Sequence, residues 1–86
     1  MARKTSPVHI GIDTSKRELV VASRPAGTAF TVSNTMAGIT VLVDRLVRLK
    51  PLRIAIEPSG GFEHAVVQAL RQAGLPVQLV NPRKLR

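Results

Sequence analysis

Cysteine is absent, which excludes disulfide staples and thiolate metal sites and leaves the redox compartment unreadable. Tryptophan and tyrosine are absent too, and Phe30 and Phe62 are the only aromatic residues, so any core must be aliphatic. Acids are scarce: five Asp and Glu stand against thirteen Lys and Arg. Long apolar runs are missing as well. The stretch after Arg3-Lys4 is interrupted by Asp13, Lys16 and Arg17, and nothing approaches the roughly 20 apolar residues that span a bilayer. A leader or membrane contact is therefore not expected, and a cytoplasmic location is.

What is present suits one small domain or a piece of a larger one. The chain has 86 residues, 44% of them hydrophobic and mostly Val, Leu, Ile and Ala. The net charge of +8 favours a polyanionic partner, nucleic acid first. Charge alone carries no sequence specificity, because phosphate contacts do not read bases. The cations are spread over Arg3-Lys4, Lys16-Arg17, Arg24, the segment from Arg45 to Arg53, Arg71, and a basic tail over 81–86 with Arg83, Lys84 and Arg86. The plainer reading of the same charge is a solvated basic surface.

Along the chain, Val8 to Asp13 predicts a first strand, with Val8, Ile10 and Ile12 alternating against His9, Gly11 and Asp13. Thr14-Ser-Lys-Arg17 reads as a polar turn, Glu18 to Ser23 as a second strand, Arg24-Pro-Ala-Gly27 as another turn, and Thr28 to Val32 as a third strand. Two tight connections in succession predict an antiparallel meander.

The period then changes. Asn34 or Thr35 can cap a helix whose Ile39, Leu42, Val43, Leu46 and Leu49 share a face, with Asp44 and Arg48 paired on the other side. Leu52 to Glu57 predicts a strand buried on both faces, as parallel strands are. Pro58-Ser-Gly-Gly61 turns into a helix with Phe62, Ala65, Val66, Ala69, Leu70 and Ala73 as its apolar stripe, ended by Gly74 and Pro76. Val77 to Val80 completes the order β-β-β-α-β-α-β. A further helix would be expected to cover that last strand, so the chain reads as truncated.

Two acids stand out by position. Asp13 closes the first strand and Glu57 the first strand after a helix. If those strands are parallel neighbours, both carboxylates emerge at the sheet edge where open α/β sheets place ligands. Two carboxylates about 4 Å apart repel by roughly 4 kcal/mol at an effective dielectric near 20. A shared cation removes that penalty, and oxygen ligands suit Mg²⁺ or Mn²⁺. The alternative is two solvated strand-end acids. Ser59-Gly60-Gly61 before a helix can hold a phosphate on its backbone N–H groups or be an ordinary turn. Glu63 reads as a favourable charge at a helix start rather than a ligand. His9 reads as a packed or hydrogen-bonded residue, and His64 as solvent-facing.

Gly11-Ile-Asp-Thr-Ser-Lys16, Ser33-Asn-Thr35, Glu57-Pro-Ser-Gly-Gly-Phe-Glu63 and Val80-Asn-Pro-Arg83 together resemble the DEDD transposases of the insertion sequence 110 group, relatives of the Piv-type invertases. The resemblance runs from about Val8 to Arg86. It implies an α/β fold of the RNase H-like (RuvC-like) kind, residues 1–86 being the N-terminal part of that domain. It also implies a four-acid site for Mg²⁺ or Mn²⁺, with Asp13 matching the first acid and Glu57 the second. Such a site serves phosphodiester cleavage and strand transfer in DNA transposition. The implied partners are DNA, contacted by Lys16, Arg17, Arg83, Lys84 and Arg86, an element-encoded guide RNA, and further copies of the full-length protein. Phe62 departs from a position where the family often has tyrosine. The other two acids and a C-terminal serine domain have no counterpart here, so the expectation is a chain inactive by itself. Competing readings are a non-catalytic nucleic-acid-binding remnant, a basic structural module, and an actin-like ATPase lobe. The last shares the Gly-Ile-Asp strand but needs a glycine in its phosphate turn, which Thr14-Ser-Lys-Arg17 lacks.

Overall fold

A computed structural model describes residues 7–81. The seven elements follow the expected order: β1 His9–Thr14, β2 Glu18–Arg24, β3 Ala29–Ser33, α1 Met36–Leu49, β4 Arg53–Ile56, α2 His64–Gln72 and β5 Val77–Leu79. They build one five-stranded sheet in the order β3-β2-β1-β4-β5. The meander β1-β2-β3 is antiparallel, while β4 runs parallel to β1 and β5 parallel to β4.

The core follows from alternation in the strands and helical spacing in the two helices. Ile10 and Ile12 of β1, Leu19 and Val21 of β2, and Ile54 and Ile56 of β4 all point to one side of the sheet. There they form one buried cluster with Ile39, Leu42 and Leu46 of α1 and Val66, Val67 and Leu70 of α2. Both helices therefore lie on the same face. β4 departs here from its sequence reading. Ile54 and Ile56 are buried but Arg53 is exposed and Ala55 half-buried, because no described element covers the other side of the sheet. That open face presents His9, Gly11, Asp13, Val20, Ala22, Arg24, Arg53 and Glu57.

Other differences concern phase. Thr14 belongs to β1 and is buried, at 6% exposure, rather than lying in the turn. Leu49, the last residue of α1, is 43% exposed rather than part of the buried face. In α2 the buried stripe is Val66, Val67 and Leu70, while Ala65 and Ala73 are exposed and Phe62 is 45% exposed. The helix starts at His64, after a turn over residues 60–63, which takes Phe62 out of the helix; within it Val66 and Leu70 keep the predicted face and Val67 joins them.

The helix ends obey local chemistry. Thr35 is the N-cap of α1, its hydroxyl accepting from the Gly38 N–H at 3.1 Å. Asp44 and Arg48 pair at 2.7 Å on the exposed side. At the C-terminus Lys50 takes a left-handed conformation and donates its N–H to the Leu46 carbonyl. Gly74, just past α2, has φ 77°, as a residue at that position prefers.

Candidate functional site

Asp13 lies in β1, and Glu57 directly follows β4. The parallel register pairs Gly11 with Ala55 and Ile12 with Ile56, which sets Asp13 beside Glu57. Neighbouring strands are about 4.8 Å apart, and alternation sends both side chains to the open face. The two acids line one end of a groove of about 620 Å³ whose floor includes Gly11, Ala22 and Ala55. His9, Arg24 and Arg53 stand side by side at its other end. His9 thus lies in the same groove as the acids, an exposed residue rather than a packed one.

Neither the Asp13 nor the Glu57 carboxylate accepts a hydrogen bond or meets a cation among the described residues. Two unpartnered carboxylates side by side suit a hard divalent cation, supplying part of an oxygen shell that water or a phosphate completes. A third metal-binding side chain is not grouped with them among the described residues. The donor set fits such an ion, incompletely.

The two loops behind these acids are tied together. The Thr14 and Ser59 hydroxyls are in hydrogen-bond contact. Asn34, between β3 and α1, donates its side-chain N–H groups to the Ser15 carbonyl at 2.9 Å and the Phe62 carbonyl at 3.0 Å. Lys16 and Arg17 sit in the exposed β1–β2 turn beyond Asp13, with the Arg17 carbonyl accepting from the Asn34 backbone N–H at 2.8 Å. Arg83, Lys84 and Arg86 lie outside the described residues.

In the second loop, Gly60 and Gly61 take φ values of 72° and 104°, a region where a side chain is strained. This turn aims two N–H groups inward. Those of Ser59 and Gly61 donate to the Glu63 carboxylate at 2.9 and 3.1 Å. The anion held by these two groups is therefore the chain's own Glu63, which is buried at 5% exposure. His64, largely exposed, approaches the same carboxylate at 3.4 Å.

The bond from the Ser59 N–H, followed by those from its own and the Gly61 backbone, holds the Glu63 carboxyl below its ordinary value of 4.5 against the opposing effect of burial. A lowered folded-state pKa means the charged form stabilises the fold above the ordinary value. That stability is lost as pH falls below about 4.5 and through the lower folded value. Urea unfolding from neutrality down to about pH 3 should show this decline in the native chain. Glu63→Gln should be less stable at neutral pH and lose less on acidification. Equal slopes for the two proteins would remove Glu63 from the account.

Sequence reasoning missed Asn34 and Thr14 as cross-links. A signal existed for Asn34, since Thr35 alone suffices to cap α1 and leaves the Asn34 amide unexplained.

The family model of the DEDD transposases of the insertion sequence 110 group, described as a transposase, matches residues 10–86. Among solved structures, T. thermophilus RuvC in complex with Holliday junction substrate is similar at 16% identity with a TM-score of 0.69. The similarity covers 91% of this chain and 66% of the RuvC chain. At that identity it shows the fold, an RNase H-like, RuvC-like α/β domain, and this chain spans just under two thirds of its relative. No curated protein matches the sequence.

Proposed function

The chain belongs to the DEDD transposase family of the insertion sequence 110 group, and from that membership we propose that Asp13 and Glu57 form half of a divalent-metal site acting on DNA phosphodiesters in transposition. The observation that carries this reading is the adjacency, at the C-terminal ends of parallel β1 and β4, of two carboxylates that have no partner among the described residues. Asp13 and Glu57 would hold Mg²⁺ or Mn²⁺. The ion would activate a nucleophilic oxygen and offset charge at the phosphate. Lys16 and Arg17, exposed beside the acids, contribute backbone attraction for DNA, and Arg83, Lys84 and Arg86 extend it. Assembly with further copies of the full-length protein, a guide RNA and a cytoplasmic location belong to the same reading. Family membership leaves no role for the ATPase-lobe alternative.

The test is an NMR titration of the 86-residue chain with Mg²⁺ and Mn²⁺. We expect weak binding, on the order of 1 mM as in sparsely ligated oxygen sites. Perturbations should centre on Asp13 and Glu57 and vanish in both Asp13→Asn and Glu57→Gln. The chain alone should leave DNA uncut. Absence of a localised response would favour a second reading, a nucleic-acid-binding domain without chemistry, which the net charge of +8 supports. Metal-dependent cleavage by this chain, abolished by Asp13→Ala, would overturn the expectation that it is inactive alone.

A further inference from the structure

We infer that Asn34 is the positioning residue that clamps the two loops following Asp13 and Glu57, steadying the two carboxylates that the β1–β4 ladder sets side by side. A primary amide carries two N–H donors, and both are spent here, one on each loop: the Ser15 carbonyl at 2.9 Å and the Phe62 carbonyl at 3.0 Å. The first acceptor lies two residues after Asp13 and the second five residues after Glu57. The bonds join positions 19 and 28 residues apart, so local chain geometry does not produce them.

The amide is not needed to start the helix. Thr35 performs that task, and its hydroxyl is further held by Ser33 at 2.7 Å. Asn34 itself is anchored, because its backbone N–H donates to the Arg17 carbonyl at 2.8 Å. The adjoining α1 start rests against Ser33, with Gly38 leaving no room for a side chain. Asn34 is thus held by the end of the β1–β2 turn and by its place between β3 and α1, while its amide reaches across two loops. Thr14 and Ser59 make a second tie between the same loops. Glu63 braces the inside of the second loop through the Ser59 and Gly61 N–H groups. Without the Asn34 amide each loop keeps its own turn, but beyond the end of the β1–β4 ladder the tie between them is reduced to one hydroxyl pair.

The clamp itself is a structural statement; its consequence for metal rests on the reading of Asp13 and Glu57 given above. The experiment separates the two. Thr14→Cys with Ser59→Cys puts two thiols where two hydroxyls now touch, within reach of a disulfide. Their effective concentration, measured against glutathione without metal, reports loop registry directly. Adding Asn34→Ala should lower it about tenfold or more, at unchanged helical content by circular dichroism. Equal effective concentrations would overturn the clamp. Asn34→Ser, which retains one donor, should give an intermediate value and serves if the alanine variant loses its fold.

The second readout uses native Thr14 and Ser59. Asn34→Ala should weaken Mn²⁺-induced broadening at Asp13 and Glu57 by about tenfold, the range for groups that orient metal ligands. In the cysteine pair, oxidation should restore Mn²⁺ affinity to the Asn34→Ala protein and reduction should remove it. Native-like Mn²⁺ affinity in reduced Asn34→Ala would overturn the positioning role. If the native chain ignores Mn²⁺ while the thiol measurement drops as expected, the metal reading fails and the clamp stands.

Discussion

Alanine at position 38 should destabilise the chain by about 3 kcal/mol, at the upper end for overpacked sites, and lower its melting temperature by roughly 12–24 °C for a domain of this size. The usual effect has the opposite sign, since Gly→Ala within a helix gains about 0.5–1 kcal/mol. Gly38 differs because α1 begins directly against the end of β3. A Cβ there would overlap the Ser33 carbonyl oxygen and lie 2.8 Å from its carbonyl carbon. Those are backbone atoms, so no rotamer change relieves the clash and the first turn of α1 has to move. That movement would disturb the Thr35 cap and the Asn34 amide together. Thermal unfolding followed by circular dichroism decides it. A variant as stable as the native chain would mean that the β3–α1 contact is looser than described.

Ile54→Ala should cost about 2–5 kcal/mol, and Ile54→Val only about 0.5–1.5 kcal/mol. Ile54 has no exposed surface. It is paired with Ile10 on one side and Val77 on the other, in a cluster with both helices. Truncation leaves a void that two flanking strands and two helices cannot easily close. Small domains have total stabilities near the low end of about 5–15 kcal/mol, so the alanine variant should be largely unfolded under mild urea. A loss below about 1 kcal/mol would indicate a core able to collapse around the gap. Glu57 directly follows the strand concerned, so where the alanine variant is unfolded it should lose any localised metal response as well.

Much of this is legible in the sequence. The alternation Ile10, Ile12 and the pair Leu19, Val21 each show which strand face is apolar, and the structure buries all four. The change to helical spacing at Ile39, Leu42 and Leu46 identified α1 and most of its inward side. Strand-end positions singled out Asp13 and Glu57 because they follow apolar runs that had to pair. The α2 stripe was less legible. Residues 60–63 form a turn rather than the first helical turn, which leaves Phe62 outside the stripe, and Val67, beside the predicted Val66, faces inward.

Polar residues are the least legible. Thr14, Asn34 and Ser59 look like ordinary turn and cap residues, because a hydroxyl or amide next to a strand end has many local uses. Their partners lie 45, 19 and 28 residues away, and hydrogen-bonding capacity carries no address in the sequence. Hydrophobic period is a local property repeated along each segment, so the sequence by itself determined the element order, the inward faces of the meander and α1, and the placing of Asp13 and Glu57 at strand ends. Only the tertiary structure decided that both helices share one side of the sheet, leaving His9, Asp13, Arg53 and Glu57 on an open face. It alone also decided that Glu63 fills the Ser59–Gly61 turn and that Asn34 spans the two loops. These outcomes depend on where separate segments meet, and that is set by packing the whole sheet at once rather than by any one segment's pattern.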